Sequence, residues 1–197
     1  MNMRRMLVAG AVFSTLVLAA PKARAADFHG GPNEFAFHFG FQGGWWDWTP
    51  GGPKLSFGYG KFLGLQKWLD LELNLVFGDR WDDDCVWDGH RWHCAHPGYR
   101  GVDLGFFGGL KWKFDRLIPP FVPYAKVGGQ VSFLSYPDIF GMALAVRGGG
   151  GFTYYIVPNF GLGAELNMAL GFNFINHDVG FWFYWAMDFL VGLEVLF

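Results

Sequence analysis

In the final stretch of the chain, residues 181–197, every odd position is apolar: Phe181, Phe183, Trp185, Met187, Phe189, Val191, Leu193, Val195 and Phe197. The even positions include Tyr184, Asp188, Gly192 and Glu194. Side chains alternate between the two faces of a strand, so a period of two predicts a β-strand with one oily face and one mixed face. A membrane helix is excluded here, because Asp188 and Glu194 would then lie in hydrocarbon at roughly 2.5–3.5 kcal/mol each. The same alternation recurs along the chain. In residues 69–78, Leu69, Leu71, Leu73, Leu75 and Phe77 share one face, and Asp70, Glu72, Asn74, Val76 and Gly78 share the other.

Eight such strands are predicted, at 34–42, 54–62, 69–78, 99–114, 121–134, 142–156, 162–174 and 181–197. The connections between them alternate between long and short, beginning with about ten residues after the first strand and few after the second. An even number of antiparallel strands returns both termini to one side. The run Gly148 to Gly151 interrupts the sixth strand and predicts a bend or bulge there. The segment 43–53 carries Trp45, Trp46 and Trp48 among turn formers and predicts a boundary loop. Residues 79–98 form the longest irregular stretch.

Composition changes the picture in one respect. The chain is 52% hydrophobic, 20% aromatic and only 16% charged, with 30 glycines. That is too oily for an ordinary soluble domain. Yet no apolar run long enough to cross a bilayer as a helix follows the N-terminus. The N-terminus itself reads as a secretory signal: Arg4 and Arg5, an apolar stretch from Leu7 to Ala20, and Ala23-Arg24-Ala25 as a small-x-small cleavage site. Residues 1–25 are therefore expected to be a signal peptide, and 26–197 one β-barrel domain. Arg4, Arg5, Lys22 and Arg24 leave with the signal. Eleven bases then face 17 acids, a net charge of −6, which argues against a nucleic-acid partner.

The less oily face carries ten charged residues: the acids Asp70, Glu72, Asp103, Glu165, Asp188 and Glu194, and the bases Lys111, Lys113, Lys126 and Arg147. Gly58, Gly60, Gly105, Gly109, Gly163 and Gly171 share that face. A soluble barrel would point its oil inward. Few charges and many glycines suit a crowded lumen instead, since eight strands leave just enough room for side chains. The ten charges are expected to pair as a network, because an unpaired buried charge is costly.

The chain ends on an aromatic residue, Phe197, with Gly192 and Phe189 before it, and its fifth strand opens on Pro123-Tyr124. In these features it resembles small bacterial outer-membrane β-barrels, the OmpA/OmpX-like eight-stranded group. The resemblance implies an eight-stranded antiparallel transmembrane up-and-down barrel in the outer membrane with both termini periplasmic. It makes Phe189, Gly192 and Phe197 an assembly signal for the barrel-assembly machinery, and lipid and lipopolysaccharide the surroundings. It implies a structural or surface-interaction role first, a narrow porin-like channel second, and a lipid A-modifying enzyme a distant third. Lipid A deacylases carry a His-x-Ser pair near the C-terminus; here the comparable stretch is Asn176-His177-Asp178-Val179, without that serine. No catalytic residue, cofactor or metal site is assigned.

Cys85 and Cys94 follow the signal, so in an oxidising compartment they are expected to form a disulfide. The alternative is a metal site built from them with the Asp82–Asp84 run, His90, His93 and His96, but the spacing fits no zinc pattern and a disulfide removes both thiolates. Trp81, Trp87 and Trp92 in the same segment are of the kind that interfaces use, making 79–98 a candidate contact for an extracellular partner.

Overall fold

The computed structural model describes residues 32–44, 49, 51–80, 84–87, 92–95, 99–114, 120–136, 139–175 and 180–197; residues 79–80, 84–87, 92–95, 99–100, 136, 139, 175 and 180–182 are described by their backbone alone. The leader expected at 1–25, Trp45, Trp46, Trp48 and the His177-Asp178 pair lie outside the described residues.

The described chain is all β. Its strands are β1 (Asn33–Gly44), β2 (Gly52–Gly64), β3 (Lys67–Arg80), the short β4 (Asp84–Trp87) and β5 (Trp92–Ala95), then β6 (Tyr99–Lys113), β7 (Phe121–Tyr136), β8 (Ile139–Val157), β9 (Phe160–Ile175) and β10 (Gly180–Leu196). Eight of them close into a barrel in the order β1-β10-β9-β8-β7-β6-β3-β2, each antiparallel to its neighbours. Closure leaves no free sheet edge. The last strand performs it: β10 pairs with β1 from Glu34↔Leu196 to Gly44↔Ala186. Both ends of the barrel chain therefore meet at one rim, the terminal rim.

Most strands run to, or a few residues past, the bounds expected from alternation, because pairing continues into the turn residues, while β6 and β10 end one residue before the expected 114 and 197. The β2–β3 turn is Leu65–Gln66, both at positive φ (50° and 64°) after Gly64 at 101°. Those angles belong to the tight hairpin turns whose twist matches the strands, usually built from Asn and Gly. The β8–β9 turn at the same rim is Pro158–Asn159. At the far rim the β7–β8 connection is shorter than expected. Ser135 and Tyr136 pair with Phe140 and Ile139, so most of the loop expected at 135–141 belongs to the strands.

Two further expectations are corrected. Residues 79–98 are not irregular throughout: β4 and β5 form a separate hairpin in which Cys85 is the register partner of Cys94. The aspartate run hides it, since it has no period-two apolar pattern. The glycine run Gly148–Gly151 carries no bulge; β8 pairs through it without interruption on both sides. Register shifts fall instead at Phe62/Gly64 and Tyr155/Val157, beside the tight turns. The glycines make room rather than bend the strand. A Cβ on Gly149 would lie 2.3 Å from Asn167 Oδ1, and one on Gly151 2.8 Å from the Tyr124 hydroxyl.

The barrel is oily outside. Leu71, Phe106, Leu166 and Phe189 are 44%, 49%, 52% and 57% exposed, whereas Glu72 and Lys111 are 6% and 3% exposed. The alternation thus assigns the faces as expected, and large apolar side chains ring the outer wall without a break in the strand order.

Candidate functional site

The inner wall is the candidate site. Alternation along β3, β6, β7, β8, β9 and β10 turns all ten expected charges inward, and each is buried. Two more belong with them, Glu34 on β1 and Lys54 on β2, each 1% exposed. Extending the alternation of β1 and β2 by one inward position beyond Ala36 and Ser56 finds both. The buried inner wall therefore holds seven acids and five bases among the described residues.

The barrel brings these charges together across long stretches of sequence. Near the terminal rim, Lys111 Nζ lies 2.7 Å from Glu34 Oε1 and 3.4 Å from Asp70 Oδ1. Lys113 pairs with Glu34 and Glu194, and it donates to the Tyr155 hydroxyl at 3.0 Å. The Thr153 hydroxyl donates to Glu194 at 2.9 Å, and the Tyr155 hydroxyl donates to the same carboxylate. Trp68, Val122, Tyr155 and Leu196 pack together at this end, with the Lys113 ammonium 4.9 Å from the Trp68 ring centroid. The sequence pattern left Trp68 in a turn; it is an inward residue of β3, because the turn is only two residues long.

The middle is held by Glu72, Lys126, Arg147, Glu165 and Asp188. Lys126 pairs with Glu72 and lies 2.8 Å from Glu165 Oε2. Arg147 pairs with Glu72 through Nη1, and its Nη2 lies 3.5 Å from Asp188 Oδ1. The Tyr124 hydroxyl and Asn167 Nδ2 donate to Glu165, each at 2.9 Å, and Asn167 also donates to Asp188 at 2.6 Å. Lys54 then reaches Asp188 at 2.7 Å and donates to Gln42 Oε1 at 3.3 Å. Phe107 sits among these cations, its ring centroid 5.2 Å from the Arg147 guanidinium and 5.6 Å from the Lys126 ammonium. The ring fits because Gly109 has no side chain; a Cβ there would lie 2.7 Å from Phe107 Cζ.

Asp103 is the one expected charge that joins no ion pair among the described residues. It lies toward the far rim, where the wall is lined by smaller side chains such as Ala143, Ala169 and Ala186 around Tyr184.

The terminal strand places Phe189 and Phe197 outward, and Gly192 inward. A Cβ on Gly192 would lie 2.0 Å from the Phe37 carbonyl and 2.5 Å from His38 Cδ2, so this glycine has a packing cause of its own. Thr49 folds back at the far rim, and its hydroxyl accepts from the Trp185 amide at 3.4 Å. Among the described residues no group of three or more His, Cys, Asp or Glu has the geometry of a metal centre. The side chains of Cys85 and Cys94 are outside what is described.

A closed eight-stranded antiparallel barrel with charge inside and oil outside is the architecture of the small outer-membrane barrels, and solved structures of that class share this fold. Neisserial surface protein A matches with a TM-score of 0.59 at 12% identity, over 85% of this chain and 98% of that one. A major outer membrane protein of Thermus thermophilus matches with 0.59 at 14% identity, over 84% and 98%. The outer membrane protein OprG of Pseudomonas aeruginosa matches with 0.57 at 10% identity, over 86% and 97%. No family model matches the chain, and no curated protein matches it in sequence.

Proposed function

We propose that the protein is an integral barrel of the bacterial outer membrane whose lumen is a charged plug, and that it serves a structural or surface-interaction role. The observation that carries this is the ion-pair network, which runs from Glu194 at the terminal rim to Lys54 beyond the middle. In a low-dielectric wall, opening a pore would strand charges such as Lys126 and Arg147 away from their partners, at several kcal/mol. The continuous apolar exterior supports a lipid environment, because soluble monomers rarely expose so large an apolar surface. In this reading the terminal rim is periplasmic, the signal at 1–25 directs export, and Phe189, Gly192 and Phe197 address the assembly machinery. Cys85 and Cys94 form a disulfide in the β4–β5 hairpin, and their direct cross-strand register supports that. Segment 79–98 is then the surface offered to lipopolysaccharide or an extracellular partner, and the barrel is not an enzyme.

The test is conductance. The refolded full-length protein in a planar lipid bilayer is expected to give no stable open steps at moderate voltage. Long-lived steps of uniform size would replace the plug with the narrow channel.

A further inference from the structure

Around Gly105 the inner wall carries polar side chains that the ion-pair network leaves out. Asp103, Asn74, Ser132, Gln130, Ser56 and Tyr184 are each no more than 4% exposed. Five of them lie on the adjacent strands β2, β3, β6 and β7. Ser56 is the register partner of Asn74, Asn74 of Gly105, and Gly105 of Ser132. Asp103 is one inward position toward the far rim on β6, Gln130 one inward position toward the terminal rim on β7, and Tyr184 lies near Asp103 and Ser132 from β10. Gln130 Nε2 donates to Ser132 Oγ at 3.0 Å, and Ser132 lies beside Asp103.

Six atoms of this group have no protein partner: Asp103 Oδ1, Asn74 Oδ1 and Nδ2, Gln130 Oε1, Ser56 Oγ and the Tyr184 hydroxyl. Five of the six are oxygens. Unpartnered atoms elsewhere on the wall belong to residues of the ion-pair network or occur singly; here they belong to one group of residues, of which Ser132, Asn74 and Gln130 all come within 3.5 Å of the place a Cβ would take on Gly105. Buried polar groups are almost always partnered, and a lone buried carboxylate is worse than a lone amide. Lys54 is the base that acts on Asp103 from a distance, but its ammonium contacts Asp188 and Gln42 and makes no ion pair with Asp103. The inner wall also holds two more acids than bases.

We infer that the oxygens around Asp103 form a binding site for a monovalent cation of the sodium or potassium class. The donor set decides the class. Hard cations take oxygen ligands, and calcium sites draw on several carboxylates; this group offers one carboxylate and four neutral oxygens. One positive charge matches the one carboxylate that the network leaves unpaired. A proton on Asp103 would cancel the same charge but would leave the oxygens of Asn74, Gln130 and Ser56 as they are. The site concerns the folded lumen and does not depend on whether the barrel conducts.

The refolded full-length protein in detergent tests this by thermal unfolding at constant ionic strength, with sodium or potassium chloride replacing N-methylglucamine chloride. A ligand that binds only the folded state stabilises it in a saturable way. The melting temperature is expected to rise and level off, by roughly 2–4 °C for each factor of five or so in the folded-to-unfolded ratio. Asp103→Asn should abolish the rise, and Tyr184→Phe should move its midpoint to higher salt. Identical melting in all three salts overturns the site, as does a rise that Asp103→Asn retains. Stabilisation by acid alone assigns the charge to a proton, and stabilisation by calcium alone overturns the monovalent class. If Asp103→Asn fails to refold, the wild-type salt series and Tyr184→Phe still decide.

Discussion

Two parts of one lumen treat buried charge differently. From the terminal rim to the middle, every acid meets a base: Glu34 with Lys111, Glu72 with Lys126 and Arg147, Glu165 with Lys126. Bulky Trp68, Phe107 and Tyr155 fill what the charges leave. Toward the far rim, Asp103 stands among hydroxyls and amides with no ion pair among the described residues, near a cluster of alanines. The first part is cross-linked by ion pairs. The second is packed but under-bonded, and buried polar networks of that kind are where a fold gives way or takes up a ligand. The same residue types thus do unlike things, and the difference lies in whether the opposite strand supplies the complementary group at the same height.

The comparison breaks first at its strongest point. Glu72→Gln leaves two buried cations short of a carboxylate and should cost about 3–5 kcal/mol, read as the urea midpoint and slope of the protein refolded into lipid vesicles. A loss under about 1 kcal/mol would mean that the middle is no tighter than the far part. The next effect concerns the outer wall against both. Leu73 points away from the lumen between Phe57 and Phe106, so Leu73→Arg should cost about 2–4 kcal/mol in lipid near the bilayer midplane. Equal folding yields for this variant and the wild type would show that the outer face does not meet hydrocarbon. Asp103→Asn breaks no ion pair. In N-methylglucamine buffer the same unfolding assay should show a change within about 1.5 kcal/mol, the scale of an ordinary hydrogen bond. The smallest effect compares wall positions. A Cβ on outward Gly129 meets nothing within 4 Å, so Gly129→Ala should stabilise by about 0.4–1 kcal/mol. Inward Gly149→Ala should destabilise, because its Cβ would meet the Leu166 carbonyl at 2.4 Å. Matching signs for the two glycines would erase the inside–outside distinction.

Much of this was legible before any coordinates. A period of two assigns each side chain to a face, and it did so correctly for Leu71 and Glu72, for Leu104 and Asp103, for Phe189 and Asp188. Where the reading fell short, the cause was local. Glu34 and Lys54 are the first residues of the strands expected at 34–42 and 54–62, and the inward face is recognised there only from Ala36 and Ser56 onward. Gly148–Gly151 suggested a bulge because glycine weakens a strand in isolation, while Asn167 and Tyr124, which need that space, lie on neighbouring strands. The β4–β5 hairpin was hidden by its aspartates.

The sequence by itself determined the strands, the sense of inside and outside, and the kinds of residue each face holds, because these depend only on alternation within one strand. Tertiary structure alone decided the partners. Lys54 meets Asp188 across 134 residues and Lys111 meets Glu34 across 77, and no local pattern encodes such pairings. They follow from how the strands stagger when the barrel closes, which sets the height of every inward side chain and leaves Asp103, alone among the inner-wall acids described, without an ion pair.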